Sequence, residues 1–263
     1  MNRVQRHVSV ILLILCTAFP AQAVRSPSET NLEEINHHQA GAAAALLMGD
    51  HTLLEQGRIA VSGHVHVSGW GADGFYGAWG LSAQKNLSEK FGLGLAYGYT
   101  DAQLHTRAWV LDVQYSPLSG PTPWLHLQAA VGHQALVSSE SENVMIFEFD
   151  NPWPIRDGNP EILLDDMTWT HGYLNALVNV PVWKFRPQAS LGYVHSHYSW
   201  SGWEMVVSGQ EIVKGPALED SDDIGTWTGS LGLGLDLGPV RPYAGIGAFS
   251  GSGLFLARMT VVF

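Results

Sequence analysis

Two groups of residues in this chain have the types and spacing to do chemistry, and the first is a histidine pair. His64 and His66 stand two residues apart in an alternating stretch, so both imidazoles face the same side of a strand. Such a pair can direct two nitrogens at one metal ion, with His126 and His171 as further ligands. No cysteine or carboxylate accompanies them at a metal-binding spacing, and a wet interior also accepts polar side chains that have no function. We therefore predict no cofactor and keep His64 and His66 as metal-site candidates only.

The second group is His195, His197 and Ser199, which share one face of a predicted strand near its outer end. A His-x-Ser pair on one face resembles the catalytic pair of outer-membrane phospholipases and lipid A deacylases. That resemblance implies that His197 is the base, Ser199 the nucleophile, and Glu211, twelve residues further on, the carboxylate that orients the imidazole. Trp200 stands where those enzymes have Asn, and an interfacial belt of rim residues is the alternative interpretation.

The elements that must position these residues are strands, because large apolar and small or polar side chains alternate along most of the chain. Between residues 91 and 100, large apolar or aromatic residues at odd positions oppose Gly, Ala and Thr at even ones. This pattern predicts an all-β fold of about ten strands. They are expected at 58–68, 75–85, 91–100, 109–115, 124–135, 168–180, 185–199, 226–237, 240–248 and 254–263.

Aromatic spacing favours a membrane over a second protein layer as the cover of the apolar face. Phe91 and Tyr99 lie eight residues apart on that face, as do Phe255 and Phe263. At about 3.3 Å per residue and a tilt near 40°, eight residues span roughly 20 Å, close to the apolar band of a transmembrane barrel with its two aromatic girdles. We therefore predict an antiparallel transmembrane β-barrel.

Short connections fall on one side of the predicted barrel and long connections on the other, as in transmembrane barrels. If the N-terminus is periplasmic, the short connections 86–90, 117–123, 181–184 and 238–239 are periplasmic. The long connections 137–166 and 201–223 then face outward. Residues 144–149 and 205–213 could form strands within them, which makes twelve strands the alternative count.

The two long connections contain fourteen of the 24 acidic residues. One interpretation is hydration beside anionic lipopolysaccharide, and the other is bridging of divalent cations. The residues are Glu140, Glu142, Glu148, Asp150, Asp157, Glu161, Asp165 and Asp166 in the first connection, and Glu204, Glu211, Glu219, Asp220, Asp222 and Asp223 in the second.

Residues 1–23 read as a signal peptide. Arg3 and Arg6 precede a short apolar run, and cleavage is expected after Ala23. Cleavage would remove Cys16, the single cysteine, and would leave 11 basic against 24 acidic residues, a net charge of -13. We therefore predict no disulfide and no nucleic-acid partner.

The chain ends in an alternating strand whose outward residues include Met259, Val261 and the terminal Phe263. This ending resembles the C-terminal strand of Gram-negative outer-membrane barrel proteins. The resemblance implies a barrel at residues 57–263, an outer-membrane location, lipid and lipopolysaccharide as surroundings, and insertion by the barrel-assembly machinery. It implies no particular activity.

Residues 24–56 differ from the rest and predict a helix. Ser28 or Thr30 could cap it, and the run from Ala40 to Met48 combines small residues with high helix propensity. Glycines on the lumenal strand faces would let such a helix come close, so we predict a segment that partly plugs the barrel. A periplasmic helix or leader is the alternative. The stretch 38–99 also resembles, locally, the membrane anchor of trimeric autotransporters.

The function expected from the sequence is non-enzymatic: an outer-membrane barrel that presents acidic outer loops for surface interaction or envelope integrity. A narrow passive channel for small solutes is one alternative, because ten strands enclose little space. An envelope lipid hydrolase that uses the His-x-Ser pair is the other.

Overall fold

The computed structural model describes residues 32–48, 57–68, 76–101, 105–118, 125–137, 145–147, 161–208, 211–249 and 252–263. These residues form one helix, α1 (Leu32–Ala45), and eleven strands. The strands are β1 (Ile59–Ser68), β2 (Tyr76–Asn86), β3 (Phe91–Asp101), β4 (His105–Tyr115), β5 (Leu125–Leu136), β6 (Met145–Phe147), β7 (Glu161–Asn179), β8 (Phe185–Ser208), β9 (Glu211–Leu235), β10 (Val240–Phe249) and β11 (Ser252–Val262).

Ten of these strands close into one antiparallel barrel, as the alternation predicts. β1 pairs with both β2 and β11, and β5 pairs with β7, so the sheet closes on itself. The short strand β6 pairs only with the start of β7 and lies outside the ring. The twelve-strand alternative is therefore wrong, because residues 145–147 and the additional residues of β8 and β9 lengthen the outer rim without adding a strand to the ring.

Three strands extend much further outward than predicted. β7, β8 and β9 contain 19, 24 and 25 residues, and the stretch 201–223 expected as a loop belongs to the β8–β9 hairpin apart from residues 209–210, which lie outside the described residues. Cross-strand pairing continues to Ser208 and Glu211. Continued pairing satisfies backbone groups that a loop would leave to water. Bulges lie between Leu164 and Asp166 and between Trp203 and Met205.

The outward face of the barrel is a band of exposed apolar side chains. Leu95 and Leu174 are 54% and 64% exposed, although both lie in the middle of their strands. Aromatic pairs mark its two edges: Phe91 and Tyr115 near the periplasmic end, with ring centroids 5.0 Å apart, and Tyr193 and Trp227 near the outer end, 5.1 Å apart.

An apolar surface that encircles a closed barrel is stable only if lipid covers it. The molecule is therefore a transmembrane β-barrel of the Gram-negative outer-membrane class, and the outer membrane is its location. Among the described residues, no helix is both long enough and apolar enough to cross a bilayer.

Helix α1 lies inside the lumen, which confirms the predicted plug. It contacts strands on different sides of the ring, β3 and β4 as well as β7, β8 and β9, and residues 39–48 are almost fully buried. The strand residues it touches, such as Thr106, Trp169 and Phe249, lie near outer strand ends, so α1 occupies the outer half of the lumen. The barrel itself begins at the periplasmic end, where residue 57 precedes β1.

Only some of the lumenal glycines serve the helix. A Cβ on Gly98 would collide with a methyl carbon of Leu46, so this glycine makes the close approach of α1 possible, as predicted. A Cβ on Gly94 would instead meet the Asp112 carboxylate, and one on Gly232 the Tyr243 ring. Most of the glycines therefore make room for large side chains of neighbouring strands.

Candidate functional site

The four lumenal histidines do not converge on one point. His64 and His66 lie on β1 and are buried, and no hydrogen-bond partner of their ring nitrogens is found among the described residues. His126 pairs with Ser116 at 2.9 Å. His171 lies on the far side of the lumen, with Nδ1 2.7 Å from the Ser196 hydroxyl and Nε2 3.0 Å from the Gln134 carbonyl oxygen. His126 and His171 thus have their own partners and do not complete a site with His64 and His66.

Metal binding gains no support from the part of the chain that the structure describes. No group of three or more His, Cys, Asp or Glu side chains there could hold a metal ion. His64 lies opposite Arg258 in the β1–β11 pairing, and a guanidinium beside an imidazole opposes the approach of a cation.

A chain of buried hydrogen bonds ties α1 to the lumen wall. Trp169 Nε1 donates to the Asn36 carbonyl oxygen at 2.7 Å. Gln134 donates to Gln39 and, at 2.6 Å, to the Thr106 hydroxyl, while its own carbonyl oxygen accepts from His171. Because these groups are buried, Trp169, Gln134 and Thr106 would each lose a partner if α1 left the lumen.

The predicted rim residues face the opposite way, toward the outside of the barrel. Even-numbered β8 residues from Arg186 to Trp200 point into the lumen, whereas His195, His197 and Ser199 point outward. The aromatic pair of Tyr193 and Trp227 lies just below them. The rim group therefore lies above the apolar band, on the surface that meets the outer leaflet.

The register of β7, β8 and β9 arranges outward-facing side chains in rows of three. Above the aromatic pair, Gly172, His195 and Gly225 form a first row in which the glycines leave space beside the imidazole. Three further rows follow, which we call the outer trough: Thr170–His197–Asp223, then Thr168–Ser199–Ser221, then Asp166–Ser201–Glu219.

Asp223 is the carboxylate that holds the imidazole. His197 Nδ1 lies 3.1 Å from Asp223 Oδ1, and His195 Nε2 lies 3.5 Å from the same oxygen. A carboxylate that accepts from Nδ1 leaves Nε2 free to accept a proton, as a general base requires. All three side chains are more than half exposed, so the pair is accessible from outside.

The sequence-based choice of Glu211 as orienting carboxylate is therefore corrected to Asp223. Glu211 pairs with Ser208 at the tip of the hairpin, whereas Ser221 is the β9 residue opposite Ser199. Glu211 is twelve residues from Asp223, the β9 residue opposite His197, and twelve residues of strand correspond to about 40 Å, too far for Glu211 to reach the imidazole.

Ser199 is adjacent to the histidine but is not bonded to it. Its hydroxyl oxygen pairs with Thr168 Oγ1 at 3.0 Å, and no hydrogen bond between Ser199 and His197 is found in this described part of β8. The residues thus supply a base, its carboxylate and a nearby hydroxyl on one face. Nucleophilic attack would require the Ser199 side chain to turn toward Nε2 of His197.

An open pocket of about 490 Å³ lies within the outer trough. Its walls include the hydroxyls of Thr168, Ser199 and Ser221 and the carboxylates of Asp166 and Glu219. Ser201, Trp200 and Asp220 also line it, and no Lys or Arg is among the described residues of the lining.

Of the fourteen predicted loop acids, the six with a described environment lie on the outer parts of β7 and β9, and Asp166, Glu219 and Asp223 belong to the outer trough. Asp165, Asp166, Glu219, Asp220, Asp222 and Asp223 are exposed on β7 and β9. Glu140, Glu142, Glu148, Asp150 and Asp157 lie outside the described residues, as do the side chains of Glu161, Glu204 and Glu211.

Sequence reasoning missed Thr168 and the role of Asp223. The paired residues of β8 and β9 between Phe185 and Trp203 have numbers that sum to 420, so His197 opposes Asp223 once the hairpin turn is placed near residue 210. Treating 201–223 as a loop hid this relation.

No family model and no curated protein matches the chain. Among solved structures, the N-terminal β-barrel domain of Pseudomonas aeruginosa OprF is 12% identical, covers 80% of this chain and all of its own, and has a TM-score of 0.35. The translocator domain of the autotransporter NalP from Neisseria meningitidis is 12% identical over 88% of this chain and 95% of its own, with a TM-score of 0.46. LpxR from Salmonella typhimurium is 7% identical over 77% and 99%, with a TM-score of 0.39. At these identities and TM-scores the matches support no inference about activity.

Proposed function

We propose that this outer-membrane barrel is non-enzymatic and acts through the outer face of β7, β8 and β9, in surface interaction or envelope integrity. The observation that supports it is the division of the molecule into an occupied lumen and a long outward sheet. The sheet extends 15 residues beyond Tyr193 on β8, about 50 Å of strand. A barrel that serves only as a membrane anchor has no need of such a sheet.

Charge indicates what this face can bind. Three exposed carboxylates of the outward face, Asp166, Glu219 and Asp223, lie in the outer trough. On the described outer parts of β7 and β9, Lys214 is the exposed amine, and its ammonium lies 5.3 Å from the centre of the Trp203 ring. The face is therefore suited to partners that carry positive charge or many hydrogen-bond donors.

Shortening the β8–β9 hairpin tests the proposal. In a strain that lacks the protein, wild type is expected to restore resistance to detergent, and a variant without residues 204–216 is expected not to. The matched control inserts a Gly-Ser segment of equal length, which retains size but not sequence. Comparable heat-modifiable bands on gels would show that all forms fold. Full complementation by the shortened variant, or by the Gly-Ser control, would reject the proposal.

A passive channel gains less support, because α1 is buried in the outer half of the lumen and contacts strands on different sides of the ring. A helix with its side chains is about 10 Å across. Water could pass only if α1 moved, and its buried hydrogen bonds oppose that movement.

A lipid hydrolase is a second candidate, which the 3.1 Å contact between His197 and Asp223 beside Ser199 supports. The test measures release of fatty acid from phospholipid and lipid A in mixed micelles. If the candidate is correct, Ser199→Ala and Asp223→Asn each reduce the rate at least about a hundredfold. Ser221→Ala, which removes the neighbouring hydroxyl of the same row, is the matched control and leaves the rate unchanged. No release by wild type, or equal release by Ser199→Ala, would exclude this activity.

A further inference from the structure

The outer trough has a chemistry of its own, which is independent of any reaction at Ser199. Its middle row contains three hydroxyls, Thr168, Ser199 and Ser221, and the row above it places carboxylates at both ends. Hydroxyls both donate and accept, and carboxylates only accept. Since no Lys or Arg is among the described residues that line the pocket, this part of the trough offers many acceptors and no fixed cation.

This lining selects among ligands by charge. A bare phosphate would meet Asp166, Glu219 and Asp220 without a cation to offset them, so it is disfavoured. A metal ion is also disfavoured, because the described acidic and imidazole groups form no cluster of three suited to a cation. A ligand with hydroxyl and ammonium donors fits, since hydroxyls match the middle row and an ammonium makes charge-assisted hydrogen bonds with the carboxylates.

The height of the trough indicates which molecule can reach it. Ser199 lies six residues beyond Tyr193, about 20 Å along the strand and roughly 15 Å above the outer aromatic pair at a tilt near 40°. The side chains face sideways from the barrel wall, toward neighbouring lipid and away from the barrel axis. At that height, the neighbours in the outer leaflet are the sugars of lipopolysaccharide.

We propose that the outer trough is a saccharide-binding site that takes an amine-bearing sugar of lipopolysaccharide. The sugar hydroxyls bind the hydroxyl row, and the ammonium group lies between Asp166 and Glu219. This deepens the proposed function by naming a partner class, and it rests on that function only in placing this face at the outer leaflet.

A matched pair of soluble probes tests the site. The glucosamine tetramer with free amines and its fully N-acetylated counterpart differ in the ammonium groups and share the same sugar ring. Titration into the full-length barrel in detergent is expected to show about tenfold tighter binding of the free-amine probe, the size of one added charge-assisted bond. Equal binding of the two probes, or no binding of either, would overturn the proposal.

A charge-matched variant pair locates the binding. Asp166→Asn combined with Glu219→Gln should bring the two probes to within about twofold of each other. Asp222→Asn combined with Asp165→Asn is the control: it removes the same two charges from exposed residues that do not line the pocket, and it should retain the preference. A preference that survives the double variant, or is lost in the control, would show non-specific attraction and refute the site.

A third arm tests the natural source. In nanodiscs that contain lipopolysaccharide, wild type should bind the free-amine probe less than in detergent, because the neighbouring sugars occupy the trough. Unchanged probe binding would exclude lipopolysaccharide as the occupant. The hairpin deletion used above removes residues 204–216 and leaves the trough rows in place. Failure of the saccharide site and failure of the proposed function therefore give different results.

Discussion

Gln134 is the residue on which the polar attachment of α1 most depends, because it joins Gln39 on the helix to Thr106 and His171 on the wall. Gln134→Leu would remove the hydrogen bonds of Gln134 to Gln39, Thr106 and His171 at a similar side-chain volume. We expect a loss of roughly 2–3 kcal/mol in the free energy of unfolding. Urea titration followed by tryptophan fluorescence measures it.

The control for this change is Thr170→Val, which alters an exposed polar residue on the outward face of β7. It should change stability by no more than about 0.5 kcal/mol. A Gln134→Leu variant as stable as this control would mean that the hydrogen-bond chain does not hold the helix.

At the residue scale, the sequence predicts which side of a strand a residue occupies better than it predicts which residue of the next strand it contacts. Alternation placed His197 and Ser199 on one outward face, and the structure agrees. Alternation could not identify the carboxylate that contacts His197, because the register of the hairpin, and not distance along the chain, determines which residue lies across from it. Glu211 is near Ser199 in sequence and far from it in space, whereas Asp223 is the reverse.

At the element scale, the two-residue turn between β9 and β10 depends on Gly238. Its φ is +84°, and no other atom lies within 4 Å of an added Cβ. Gly238→Ala should therefore cost about 1 kcal/mol of unfolding free energy through backbone strain alone.

Gly63 in β1 provides the matched control for the same substitution. Its φ is not in the left-handed region, and an added Cβ would have only an ordinary contact, 3.8 Å from Leu81. Gly63→Ala is expected to leave stability unchanged or slightly raised. Equal losses at the two positions, measured by the same urea titration, would contradict the assignment of strain to the turn.

Strands inside the membrane were predicted well, and their extensions were not. In the bilayer one face must be apolar, so a strand such as β3 alternates visibly. Above the bilayer water meets both faces, and the run from Glu219 to Asp223 has no alternation to recognise. The position of α1 in the lumen followed from its small residues, but its place in the outer half depends on partners such as Trp169 and Phe249, which the sequence pattern does not connect to it.

At the scale of the whole molecule, lipid on the apolar band makes a prediction that depends on depth. Leu95 lies midway between the two aromatic edges, and Leu237 lies at the periplasmic turn, yet both are more than half exposed. In lipid vesicles, Leu95→Arg should cost about 2–4 kcal/mol and Leu237→Arg about 0–1 kcal/mol.

If water covered this surface, the cost of the substitution would not depend on depth. Both positions are exposed, so in water each substitution would change stability by no more than about 0.5 kcal/mol. Equal and small costs at the two depths, from urea unfolding in vesicles, would contradict the membrane assignment.

The claim on which the rest depends is that α1 occupies the lumen and closes it. Planar-bilayer recording of residues 24–263 tests this most directly, with a form that lacks residues 24–48 recorded in parallel. We predict no steady conductance steps from the complete chain, and ohmic steps once α1 is removed, because its departure leaves a water-filled space in the outer half of the ring. Steady conductance from the complete chain, equal to that of the shortened form, would contradict the account.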